Sequence, residues 1–210
     1  MPEPSPPPAP GPQANLKDPF VAGVLAWLVP GLGHAYQGRY PKAVLLCFTI
    51  LGTFLYGLYL GSDKEVGWGR VVYFSFRKND VRLYYLCQVG IGLPALPALV
   101  QADVVQRGRR PFWHALMAPA KLHANDPPPP DPKYPDDPAQ RTCAEVVHSL
   151  ARLFELGSLY TAIAGLLNIL AIYDACCGPV LPEPAKKKDG QDETEQAEPK
   201  GQAIPVEKPA

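Results

Sequence analysis

The chain has 210 residues, enough for one ordinary soluble domain or one small helical bundle. Its 20 basic and 20 acidic side chains cancel, so no global basic field points to nucleic acid as a partner. The five cysteines are scattered, and no spacing matches a zinc site or a disulfide framework, so neither a metal nor a cofactor is expected.

Near-neutral mean hydropathy hides a split. Prolines crowd into residues 1–19, 119–138 and 179–210, which are polar or charged. Between them lie stretches with almost no Asp, Glu, Lys or Arg: residues 20–38, 43–61, 83–102 and 156–182, the last interrupted only by Asp174. A soluble domain returns to charge every few residues on its exposed faces. Each stretch is close to the ~20 residues needed to cross a ~30 Å hydrocarbon slab. The expected fold class is therefore an all-α membrane protein, a small bundle of three to four transmembrane helices with disordered proline-rich termini.

Residues 1–18 read as a disordered arm, because prolines deny them helix and they have nothing to bury. With Lys17 as their only basic residue and no clear cleavage site, they do not read as a secretion signal. Residues 19–61 form a helical hairpin. Its first stretch is the least secure, since the continuous apolar part covers only residues 20–29 and Pro30, His34 and Gln37 follow. It either crosses as a bent helix or dips in and returns beside its neighbour. The second stretch carries ten Val, Leu, Ile or Phe residues and is the strongest.

Between them lies a turn containing Pro30, Gly31, Gly33, His34, Tyr36, Gly38 and Arg39. A dinucleotide loop would need glycine where Tyr36 stands, and no lysine follows at P-loop spacing. Catalysis by His34 would need a carboxylate or nucleophile, and none is near in sequence, so no catalytic residue is assigned. A bend uses every residue instead. Pro30 breaks the helix, Gly31 and Gly33 permit unusual angles, His34 and Tyr36 offer polar tips to headgroups or freed carbonyls, and Arg39 and Lys42 snorkel outward.

Residues 62–118 hold an aromatic and basic connector, the third apolar stretch weakened by Gln88, Pro94 and Pro97, and an interfacial segment. In that segment Arg107, Arg109 and Arg110 reach for lipid phosphates while Trp113 sits in the headgroup layer. Residues 119–140 read as a proline-rich linker. Residues 141–180 begin with a capping box, Thr142 and Glu145, and an amphipathic helix leads directly into the last span. Residues 181–210 read as a disordered charged tail.

Small residues recur along two of the spans: Thr49, Thr53, Gly57 and Gly61 on one, Gly157, Thr161 and Gly165 on the other. Such stripes let helices approach closely in lipid, within one chain or between copies. Gln88, Asn168 and Asp174 are the intramembrane polar groups. An ionised Asp174 at mid-bilayer would cost about 2.5–3.5 kcal/mol, so it must lie near the surface, pair or carry a proton.

The stretch Pro30-Gly31-Leu32-Gly33-His34-Ala35-Tyr36-Gln37-Gly38-Arg39, followed by Lys42-Ala43, resembles the turn signature of small bacterial proteins related to the two-transmembrane-helix domain. The stretches GIGLPALPALVQA and FELGSLYTAIAGLLNILAIYDACCGP resemble an uncharacterised planctomycete-type membrane family. The resemblance covers residues 20–179 and implies an integral membrane protein with no established activity.

The expected role is structural or accessory, with the bilayer and either a second copy or another membrane protein as partner, and with no enzymatic activity. The alternative is a small transporter or ion conductor using His34, Asn168 and Asp174. The expected location is the inner membrane, multi-pass. With four spans, Lys17, residues 62–82 and residues 186–188 share one side, while Arg39, Lys42, Arg107, Arg109, Arg110 and Arg152 share the other. The first side is modestly richer in basic residues, which places both termini in the cytoplasm.

Overall fold

A computed structural model describes residues 17–77, 80–134 and 136–178. The expected proline-rich arm, up to residue 16, and the charged tail, from residue 179, lie outside the described residues. The described chain is mostly helical, and its single sheet is the two-stranded antiparallel hairpin β1 (Phe76–Arg77) and β2 (Asp80–Val81).

Two helices are long and apolar enough to cross a membrane: α3 (Tyr40–Leu60) and α7 (Arg152–Cys177). They run antiparallel. The start of α3 meets the end of α7, where Lys42 reaches Asp174, and the end of α3 meets the start of α7, where Gly57 lies against Gly157 and Thr161. A Cβ on Gly57 would sit 2.7 Å from the Thr161 methyl and 2.9 Å from the Gly157 carbonyl oxygen. One on Gly157 would sit 2.7 Å from the Gly57 carbonyl oxygen. Absence of side chains here lets the two backbones touch.

The other two apolar stretches do not form single long helices, so among the described residues two of the expected spans are helices long and apolar enough to cross. Residues 20–38 divide into α1 (Pro19–Leu28) and α2 (Leu32–Tyr36). Asp18 caps α1 by accepting from the Phe20 amide at 2.9 Å. The chain then reverses at Pro30 and Gly31, where Gly31 takes φ +86°, a conformation L side chains disfavour. Helix α1 runs from the C-terminal end of α7 inward as far as Asn168, which donates to the Ala26 carbonyl. Helix α2 returns to the same end, where His34 meets Asp174.

Residues 83–102 divide too. Helix α4 (Tyr84–Gln88) passes into a 3-10 turn (Val89–Ile91), a glycine at φ +83°, a second 3-10 turn (Leu93–Ala95) and α5 (Pro97–Gln106). Pro94 and Pro97 lack amide donors, and Gly92 supplies the positive φ, so no continuous helix can run through. This hairpin approaches from the opposite end. Arg82 bonds Ser158 near the start of α7, Gly90 packs on Gly165, and the return leg ends beside Phe112 and the Trp68–His114 pair.

The two hairpins meet tip to tip against α7. The Trp27 indole donates to the Val89 carbonyl at 3.3 Å. Asn168 bridges them, donating to Ala26 at 3.2 Å and to Gly90 at 2.9 Å. These bonds satisfy carbonyls that both broken helices leave free.

Both connectors gather at the end of α3 and the start of α7, forming a cap. Val66, Val71, Val72, Met117, Ala120, Val146 and Leu150 are buried there. Residues 119–140 are part of it: Lys121 and Ala139 are buried, and the Lys121 carbonyl accepts from the Cys143 amide. Helix α6 (Cys143–Leu150) starts at the Thr142 capping box, but Ala151 at φ +47° separates it from α7, so the two are not one continuous helix.

Candidate functional site

At the end of the bundle that holds α1, α2 and the C-terminus of α7, one carboxylate collects two cationic side chains and a buried histidine. Asp174 Oδ2 lies 2.6 Å from Lys42 Nζ, 2.6 Å from His34 Nε2 and 3.4 Å from Arg39 Nη2. The glycine-rich turn makes this possible. A Cβ on Gly33 would sit 2.2 Å from the Ala22 carbonyl oxygen, so only glycine lets α2 press onto α1 and carry His34 inward. Gln37 then donates to the Ala175 carbonyl, and Arg39 donates to Gln37 at 3.4 Å.

His34 is fully buried, whereas Asp174 retains 28 % exposure. That differs from a histidine presenting its tip to headgroups. The reason is local: the close approach of Gly33 to Ala22 holds α2 against α1, which carries His34 onto Asp174. His34 Nε2 donates to the carboxylate, and Nδ1 has no partner among the described residues. Tyr36 stays partly exposed with Lys17 over its ring at 5.1 Å, and Gly38 takes φ +82° in open space before α3 begins.

Deeper along α7 lie the other expected polar residues. Gln88 donates to Thr161 Oγ1 at 2.8 Å and to the Val71 carbonyl at 3.2 Å. Thr161 itself donates back to Gly157 at 2.8 Å. Gln88 Oε1 and Asn168 Oδ1 are buried without partners among the described residues. Of the small residues, Gly57, Gly61, Gly157, Thr161 and Gly165 are buried at helix contacts, with Gly165 facing the Cys87 carbonyl. Thr49 is exposed, and Thr53 bonds the Thr49 carbonyl within its own helix at 2.7 Å.

The arginines expected to meet headgroups are largely engaged elsewhere. Arg107 pairs with Asp103 at 2.8 Å. Arg110 pairs with Asp137 at 2.7 Å and Asp131 at 3.2 Å, and stacks on Tyr134. Arg109 is exposed, and Trp113 is 71 % exposed. Asp131 and Asp137 come from the proline-rich stretch, whose folding onto Arg110 no local pattern announces.

Arg70 and Arg82, read in the sequence as part of an aromatic and basic connector suited to the headgroup layer, are packed into the cap. Arg70 is 1 % exposed with all three guanidinium nitrogens unpartnered among the described residues. Burial brings its pKa down to about 10. Arg82 donates to Ser158 at 2.7 Å and to Val71 at 3.2 Å while lying against Tyr73, Tyr84 and Phe154. Its place just before an uncharged stretch was the available signal. Among the described residues no three His, Cys, Asp or Glu side chains stand together as a metal site would require.

Fold and site together define a small, mostly helical protein with two helices long and apolar enough to span a bilayer and a carboxylate tied to a lysine, an arginine and a buried histidine at one end of that pair. The chain belongs to DUF6677, a family of unknown function, whose model matches residues 21–188. No curated protein and no solved structure matches it.

Proposed function

We propose that the chain is an integral protein of a bacterial inner membrane, with two crossings, two re-entrant hairpins and both termini in the cytoplasm. Its role is structural or accessory, not enzymatic. The observation that carries the membrane placement is the charge spacing on α7. Between Glu155 and Asp174 the helix has no charged residue. At ~1.5 Å per residue this stretch is about 28 Å long, close to a ~30 Å hydrocarbon core. Charged clusters then sit at both headgroup layers. Broken helices at membrane depth are tolerated where protein buries them, as α7 and the opposed hairpin do here. In the same proposal, the glycine-rich turn is kin to that of the two-transmembrane-helix domain, and the remaining apolar segments to a planctomycete-type family.

The structural role rests on how the polar groups are spent. Asp174, Gln88, Asn168 and Thr161 each fasten one element to another. The outer face of α3, with Val44, Leu45, Phe48 and Leu55, is exposed and available to lipid, a second copy or another membrane protein. Extraction in mild detergent tests this role. The protein should run in a complex of fixed stoichiometry and show no solute or ion flux in proteoliposomes. A lone monomer that conducts would contradict it.

The second reading, a small transporter or ion conductor, is favoured by three buried unpartnered atoms: His34 Nδ1, Gln88 Oε1 and Asn168 Oδ1. It predicts flux that Asp174→Asn abolishes.

A further inference from the structure

We propose that a groove at the start of α7 binds the phosphate of an anionic phospholipid. The groove encloses about 800 Å3 and is lined by Arg82, Arg152, Tyr84, Glu155, Leu156 and Leu159, among others. It lies at the opposite end of the bundle from Asp174 and shares no residue with that cluster.

Three features converge on it. Two guanidiniums line one recess, against one carboxylate. Arg82 is held in place by two bonds from Nη2, to Ser158 and Val71, and by three aromatic rings, so its charge is fixed beside the recess with Nη1 as the nitrogen not engaged among the described residues. Arg152 is exposed and makes no ion pair among the described residues, unlike Arg107 and Arg110. In addition, α7 begins without a side-chain cap, leaving its positive end open to the recess. Planar guanidiniums match phosphate oxygens in pairs.

The walls decide between a lipid and a free phosphate. Leu156 and Leu159 are 44 % and 49 % exposed one turn further along α7, on the stretch assigned to hydrocarbon. Apolar walls add nothing for an inorganic ion, whereas an acyl chain hanging from a phosphate at Arg82 and Arg152 would cover them. The proposal rests on the bilayer placement of α7 but not on the structural role.

The test uses the full chain purified in detergent and titrated with phosphatidylglycerol or phosphatidylcholine, with bound lipids counted by native mass spectrometry. Phosphatidylglycerol should bind preferentially at one site per chain. Each unit of charge inside the groove should change affinity about 5-fold. Arg152→Gln should therefore weaken binding, Arg152→Glu should weaken it further, and Glu155→Gln should strengthen it by a similar factor. Arg109→Glu, at the same end but outside the groove, should leave binding unchanged. Arg82→Lys keeps the charge but loses the fork, and should also weaken binding.

Equal losses for Arg109→Glu and Arg152→Glu would reduce the effect to diffuse attraction and overturn the site. Equal binding of the two lipids would overturn it as well. Displacement of phosphatidylglycerol by millimolar inorganic phosphate would overturn the lipid and leave a free-anion site. A chain that stays folded and monomeric in buffer without detergent would refute the bilayer placement instead, which separates the two failures.

Discussion

Asp174 could be recognised from the sequence as a charge that must be accommodated, because nothing else interrupts its apolar stretch. Its partners could not, because His34 and Lys42 lie more than a hundred positions away, and only the return of α2 and the pairing of α3 with α7 bring them in. Arg70 is the opposite case: an ordinary-looking basic residue that the cap buries completely. A buried cation without partners costs more in desolvation than it regains. Its pKa of about 10 keeps it charged at neutral pH, so the penalty holds there and eases only as pH rises above that value. Arg70→Met should raise stability by about 1–4 kcal/mol, read by thermal unfolding with Trp68 fluorescence. A loss of stability would show that Arg70 has a partner in solution. Glu145 behaves conventionally. Hydrogen bonds from the Thr142 amide at 2.7 Å and its hydroxyl at 3.0 Å hold the Glu145 carboxyl below its ordinary value. The stabilisation is therefore complete above pH ~4.3 and disappears as pH falls through the lowered pKa. Amide exchange across Thr142–Val146 should accelerate in that acid range, and Glu145→Ala should remove this pH dependence.

Among the elements, α3 and α7 were legible because length, hydropathy and small-residue stripes all agree. The contact itself uses only part of each stripe. Gly57→Val should cost about 1–3 kcal/mol, since its Cβ would enter the space of Thr161 and Gly157. Gly52→Ala meets nothing within 4 Å and should be neutral or stabilising by up to ~1 kcal/mol. Thermal unfolding of both variants in one detergent checks the contrast, and equal effects would argue against the crossing. Residues 83–102 do not form the expected continuous helix, because freedom from charge measures what a segment tolerates, not whether its backbone can continue. Gly90, Gly92, Pro94 and Pro97 break it, and the price of free carbonyls is met by Trp27 and Asn168, which no local pattern foretells. At the tip, a Cβ on Gly92 would fall 1.6 Å from the Trp27 carbonyl oxygen. Gly92→Ala should therefore separate the hairpins and expose Trp27 to quencher, while leaving the helical content of α3 and α7 intact.

Over the whole molecule, the bundle is asymmetric. One end carries the first and last described residues and the Asp174 cluster; the other carries the cap and the Arg82 groove. Arg39 and Lys42 therefore sit at the terminal end, while residues 62–82 share the far end with Arg107, Arg109 and Arg110. This differs from the distribution that four spans impose, because each hairpin returns to the end it came from. Counting basic residues does not decide the orientation of the two candidate spans, so labelling decides it. The most direct measurement uses single cysteines introduced by Lys17→Cys, Gly38→Cys, Asp63→Cys and Arg109→Cys in a chain freed of its native cysteines, labelled with an impermeant maleimide in intact cells and in inverted vesicles. The two-crossing architecture predicts that positions 17 and 38 react from one side and positions 63 and 109 from the other. Positions 17 and 38 reacting from opposite sides, or 63 and 109 doing so, would contradict it.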